Sequence, residues 1–253
     1  MRRYLFVAVI ITAIAVANSN GPCCYGAAPA QKLLMTGHFH GDEVQAKSGE
    51  IWLGLFRTRN GGYELRNTKI KVDREYDGIV DFGDKEVKTT GKALSVPHGD
   101  PIFLVRGLSE LKPGRVATAA PTQPYRKSEA LDRHLTCGQT ITLKFKNQCA
   151  RLIVSGRPVK DKDGYDWQSF GYKVTLQCKG RSQVIYGSDD CHVYIDGSPS
   201  LIWAGDLDGD GRIDLFIDMT NHYNVSAPTL FLSSKAGRGR QVKKVAGFWC
   251  CGC

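Results

Sequence analysis

Asp206, Asp208, Asp210 and Asp214 crowd into the nine residues DLDGDGRID of a chain whose formal net charge is +9. Carboxylates this close disfavour one another's ionisation unless a cation stands among them. A hard cation such as calcium takes six to eight oxygen ligands at about 2.3–2.6 Å. The acids at 206, 208 and 210 alternate, and Gly209 and Gly211 permit tight turns between them. Arg212 offers its backbone carbonyl, and Asp214 closes the set directly or through water. The bland alternative is a solvated acidic turn. Spacing that matches ligand geometry at five places favours Ca2+. Its expected role is structural, because four acids in one loop leave little room for a substrate.

Other chemistry-bearing residues are weaker. His38 and His40, two apart, would share one face of a strand as a transition-metal pair requires, but no third ligand is identifiable. His222, in Asn221-His-Tyr-Asn224, reads as a turn residue. Asn224-Val-Ser226 matches a glycosylation acceptor, which matters only in a eukaryotic secretory path. There is no G-x-S-x-G elbow and no clearly solitary cysteine, so no catalytic residue is assigned. Trp52, Trp167, Trp203 and Trp249 are scattered and read as core.

The elements around the acids are strands. The first nine residues of the loop look like the front of an EF-hand, but the twelfth place, where a bidentate glutamate belongs, is Ile217. Ile213, Leu215, Ile217 and Met219 alternate with Arg212, Asp214 and Asp218, the period of a strand. A short apolar run at 201–203 precedes the loop. Together these features resemble the FG-GAP and VCBS-type calcium loops of integrin-like β-propellers, over Trp203 to about Asp218. The resemblance implies side-chain ligands at Asp206, Asp208, Asp210 and Asp214 and a carbonyl ligand from Arg212. The one partial second match, Asp161-Lys-Asp163-Gly164-Tyr-Asp166, lacks the third alternating acid. One repeat cannot bury its own faces, so a full propeller is not expected. The chain is also similar to bacterial secreted proteins that end in one such loop, a strand pair and a cysteine.

Further runs at 51–57, 63–72, 102–105, 152–154, 172–176, 184–186 and 193–195 are apolar or alternating and are bounded by Gly, Asp, Ser or Pro. Asn60-Gly61-Gly62 is a turn signal between the first two. No helical stripe appears beyond the N-terminus. The expected fold is mainly β, with antiparallel sheets in a sandwich or a partial propeller-like arrangement. Residues 112–130, opening with a Pro-rich run of small polar residues, read as a linker or long loop. They would part a β domain at 31–111 from a second at 131–253 that carries the calcium loop. A single sandwich with a long loop is the close alternative.

Arg2 and Arg3, the short apolar stretch 5–16 and Ala15-Val16-Ala17 read as a signal peptide within residues 1–19, cleaved after Ala17 or Ser19. The mature chain, with +7 once both arginines are removed from +9, is expected to be periplasmic or extracellular, without a transmembrane segment. Its basic residues are scattered. The nearest cluster, Arg238 to Lys244, reads as a solvated turn, so nucleic acid is not an expected partner. An envelope polymer, a glycan or a protein is. Nine cysteines in an exported chain suggest disulfides. Cys137 and Cys149 flank one strand. Cys178 and Cys191 flank another and are expected to pair, although four cysteines allow three connectivities. The resulting expectation is an exported calcium-binding module, with an exported hydrolase carrying a calcium-stabilised loop as the alternative.

Overall fold

The computed structural model describes residues 31–83, 89–121, 134–160, 162–164, 166–187, 189, 191–194 and 197–251. The segment 1–19 expected to be a signal peptide, Cys23, Cys24, Cys253, Asp161, residues 122–130 and the Trp167 side chain lie outside the described residues. The strands, in chain order, are β1 (Leu33–Leu34), β2 (Gly37–Phe39), β3 (Ile51–Arg57), β4 (Tyr63–Lys69), β5 (Lys71–Glu75), β6 (Gly91–Ser95), β7 (Phe103–Val105), β8 (Gly114–Thr118), β9 (Ala120–Pro121) and β10 (Thr140–Phe145). They continue as β11 (Gln148–Lys160), β12 (Asp166–Cys178), β13 (Arg181–Gly187), β14 (His192–Tyr194), β15 (Ser200–Asp206), β16 (Asp214–Asp218), β17 (Val225–Ser226), β18 (Pro228–Leu232), β19 (Lys243–Gly247) and β20 (Cys250–Cys251). The described residues contain almost no helix, and the 3-10 turn at Gly41–Glu43 is the one described in full. The protein is mainly β, and every strand pairing is antiparallel.

Nine strands form one sheet in the order β1-β7-β3-β4-β8-β15-β16-β18-β19. Its two end strands, β1 and β19, lie against each other, so the sheet nearly closes on itself. A second sheet runs β13-β12-β11-β10-β9, with β14 added to β12. Strands from both halves of the chain share the nine-stranded sheet. Residues 112–130, which read from sequence as a linker or long loop, include β8, and β8 bridges β4 to β15. Described residues 31–251 belong to one compact unit.

Two cores result. Leu33, Trp52, Leu55, Phe103, Trp203, Phe216 and Leu230 fill the nearly closed sheet. Leu143, Leu152, Val174 and Leu176 of the second sheet meet Leu201, Leu215, Ile217 and Phe231 in the other. Successive strand side chains point to opposite faces. β16 therefore sends Phe216 into the first core and Leu215 and Ile217 into the second, and all three are fully buried. β15 and β18 divide their residues in the same way. Gly205, near the end of β15, is a close-approach glycine: a Cβ there would stand 2.3 Å from the Ala117 carbonyl and 2.5 Å from the Trp203 ring.

The expected Cys178–Cys191 bridge is not formed, and none of the six described cysteines is joined in a disulfide. Cys178 pairs with Arg181 at the tip of the β12–β13 hairpin. The Cys191 carbonyl instead accepts from the Tyr172 amide, 3.1 Å away and six residues back along β12. At about 3.4 Å per residue that is roughly 20 Å, whereas a disulfide needs Cα atoms within about 7 Å. The strand between the two cysteines does form, as the far arm of a hairpin whose turn is Lys179-Gly180, and Cys191 lies beyond it.

Because β16 serves both cores, they should unfold together. Phe216→Ala is expected to cost about 3–5 kcal/mol and Ile217→Val about 0.5–1.5 kcal/mol. Urea titrations followed separately by tryptophan and tyrosine signals should give one coincident midpoint for each variant. Two separated transitions would show that the cores fold independently.

Candidate metal centre

β15 ends at Asp206 and β16 begins at Asp214, so the acidic loop is the turn of the hairpin that divides the cores. Gly209 and Gly211 have φ of 78° and 80°, the left-handed region where a Cβ is strained. They turn the chain so that Asp206, Asp208 and Asp210 converge. One carboxylate oxygen from each lies within 4.8 Å of the other two, the single grouping of this kind among the described residues.

The four acids divide by role. Asp214 is fully buried, and both its oxygens accept backbone amides, from Leu207 at 2.8 Å and Ser233 at 2.7 Å. Burial pushes its carboxyl up to about 7, against the pull of the Ser233 and Leu207 amides, and the Asp208 charge adds to the rise. Asp214 thus ties the loop to the end of β18 and stands outside the group of three. Asp208 accepts from the Asp210 amide at 3.2 Å and from the Ser234 hydroxyl. Asp210 accepts from the Arg212 amide, from the Arg212 guanidinium at 2.7 and 2.9 Å, and from the Ser233 hydroxyl.

Asp206 differs from these. Its Oδ2 accepts from the Gly211 amide at 3.0 Å and lies 3.5 Å from the Lys146 ammonium. Its Oδ1 is buried and has no hydrogen-bond partner. A buried unpaired acceptor costs about 1–3 kcal/mol, and more when charged. A hard cation held among the three carboxylates would satisfy that oxygen, and an all-oxygen donor set suits calcium or magnesium rather than a soft metal. Asp206, Asp208 and Asp210 would hold the ion.

Several contributors were not visible locally in the sequence. Ser233 and Ser234 lie 23 and 26 residues beyond the aspartates they touch. Gln148 donates to the Gly211 carbonyl at 2.6 Å from 63 residues away. Among the described residues the histidines do not gather into a metal site. His38 Nδ1 meets the Glu75 carboxylate at 2.8 Å, and His40 Nδ1 meets Asp77 at 2.7 Å. His222 sits in the turn before β17, beside Asn224. Asp163 lies in the turn between β11 and β12. No helix among the described residues is long and apolar enough to cross a membrane. Comparison of the chain with protein-family models, curated proteins and solved structures finds no match.

The two kinds of acid should separate in the metal-stripped protein. Asp214→Ala strands two buried amides and should lower stability by about 2–5 kcal/mol. Asp208→Ala should change it by no more than about 0.5 kcal/mol. Chemical denaturation in chelator distinguishes them, and equal effects would contradict the division. A second test concerns Asp77, whose carboxyl the Val80 amide, the His40 ring and the Ile79 amide hold below its ordinary value, against burial. A depressed carboxyl stabilises above its unfolded value and loses that contribution as pH falls through the folded one. Melting temperature should therefore fall on the acid side of about pH 4, and Asp77→Asn should flatten that limb.

Proposed function

We propose that the chain is an exported β protein in which Asp206, Asp208 and Asp210 bind a calcium ion that holds the β15–β16 hairpin, and that it acts as a binding or envelope-associated module. The observation that carries the cation is the buried, unpartnered Oδ1 of Asp206 beside two converging carboxylates. A solvated acidic turn would leave its oxygens to water. Calcium is preferred to magnesium because the donors sit on a glycine-bent loop, which suits a flexible shell of six to eight oxygens better than a tight octahedron. The resemblance of the loop to FG-GAP and VCBS-type repeats supports the same ion. The role is structural because the loop closes a hairpin buried on both faces and offers no nucleophile. Export rests on the basic and then apolar N-terminal sequence, and it makes an envelope polymer, a glycan or a protein the natural partner.

Calcium added to the metal-stripped protein should release or absorb heat with one-site stoichiometry. It should raise stability by about 2.7 kcal/mol at a hundredfold excess over Kd. Magnesium should do less. Asp206→Asn and Asp210→Ala should abolish most of the shift, and Asp163→Ala should leave it intact. Calorimetric titration checks each arm, and absence of calcium binding at millimolar concentration would sink the proposal.

A further inference from the structure

Beyond the acidic loop, the two main sheets leave a cleft of about 340 Å³ between them. Among the described residues four cations line it: Lys179 from the β12–β13 turn, Arg181 at the start of β13, Arg212 from the loop and Arg240 from the β18–β19 connection. No aspartate or glutamate among the described residues lines it. Arg212 is already paired with Asp210, so it contributes mainly shape. Lys179, Arg181 and Arg240 have no acidic partner among the described residues. The floor is apolar: Ala150, Leu176 and Ile213 are buried there, beside half-buried Cys178.

The walls are preformed. Gln241 donates to the carbonyls of Leu176 at 2.8 Å and Arg181 at 3.1 Å, tying the β18–β19 connection to the hairpin that carries Lys179. Gln183 returns the clasp, accepting from the amides of Gln241 and Val242 and donating to the Val242 carbonyl. On the opposite wall Gln148 holds Gly211. Each clasp joins one sheet to the other, so the cleft does not depend on a ligand for its width.

We propose that this cleft binds a small organic anion, its carboxylate, sulfonate or phosphate head held by Lys179, Arg181 and Arg240 and its apolar body resting on Leu176 and Ile213. Like charges lining a concavity focus a positive potential into it, and charged hydrogen bonds from arginine to an oxyanion are among the stronger ones. The volume falls at the lower end for small-molecule sites, and an apolar floor with a few convergent polar groups is their usual make-up. An extended polyanion would need cations continuing beyond the rim as a stripe, whereas these converge. The proposal stands without the calcium reading, since Lys179, Arg181 and Arg240 lie outside the acidic loop.

The test is a fluorescence titration of the folded full chain with 1-anilinonaphthalene-8-sulfonate, set against N-phenyl-1-naphthylamine, which has the same rings and no charge. The sulfonate should bind at one saturable site and weaken as salt is raised. Arg181→Gln combined with Arg240→Gln, both exposed positions, should raise its Kd about tenfold or more. The neutral compound should bind more weakly and be indifferent to the double variant. Phe82→Ser, which removes the most exposed large apolar side chain among the described residues, should change nothing. No saturable binding, equal binding of the neutral dye, an unchanged Kd in the double variant, or loss of binding on Phe82→Ser would each overturn the proposal.

Discussion

The structure turns on three neighbouring strands that are buried on both faces. β15, β16 and β18 are the wall between two cores, and their alternating side chains are apolar in both directions. A strand with one wet face can slip by a residue only by exchanging apolar for polar. These strands would have to exchange Phe216 for Leu215 across the wall, a mismatch of shape in both cores at once. Their register is therefore strongly specified, and whatever lies at the β15–β16 turn inherits a fixed position. That turn holds the aspartates.

Burial also explains why the loop uses acids in two ways. The wall ends where β16 enters at Asp214, and the amides of Leu207 and Ser233 point inward there with no strand left to accept them. Asp214 supplies the acceptors, at the cost of a desolvated carboxyl. Asp206, one strand across, is also buried but gives only one oxygen to the backbone. The contrast separates an acid that completes the fold from one that does not. A structural acid in this position closes its hydrogen bonds locally; Asp206 leaves Oδ1 open and groups with the two acids next along the chain.

Much of this was legible in the sequence because it depends on local spacing. The 213–219 alternation predicted the strand after the loop, Asn60-Gly61-Gly62 marked the β3–β4 turn, and D-x-D-x-D with its glycines brought three acids together. What escaped was long-range. β8 lies in a Pro- and Ala-bearing stretch without apolar alternation, and its residues are largely exposed; only its pairing with β4 and β15 makes it a strand. The two supposed domains merged because sheet order ignores chain order. The cysteine expectation failed on distance: close sequence spacing placed Cys178 and Cys191 near each other, but the first lies at a hairpin tip and the second beside Tyr172. Ser233, Ser234 and Gln148 carry no local signal at all, since each acts on a loop it meets only in the folded chain. Arg240, which the sequence placed in a solvated turn, does occupy a turn, yet the glutamine clasp lays that turn over the cleft.

The acidic loop and the basic cleft meet at Arg212, which lines the cleft and whose guanidinium holds Asp210. Opposite charges gathered on the two sides of one residue would lower their energy by collapsing onto each other, and mixed ion pairs are what an unconstrained surface would form. The backbone prevents this. Gln148 fixes Gly211, Asp214 fixes Leu207 and Ser233, and Gln241 fixes the connection that bears Arg240, each by bonds that cross between elements. The fold thus maintains two separated charge groups, each repelling itself, within a frame rigid enough to keep them from cancelling. Departures from local electrostatic preference that a surrounding structure holds in place concentrate where a protein meets something outside itself. Here the departures are two, of opposite sign, and both stand on the rim of the same doubly buried wall.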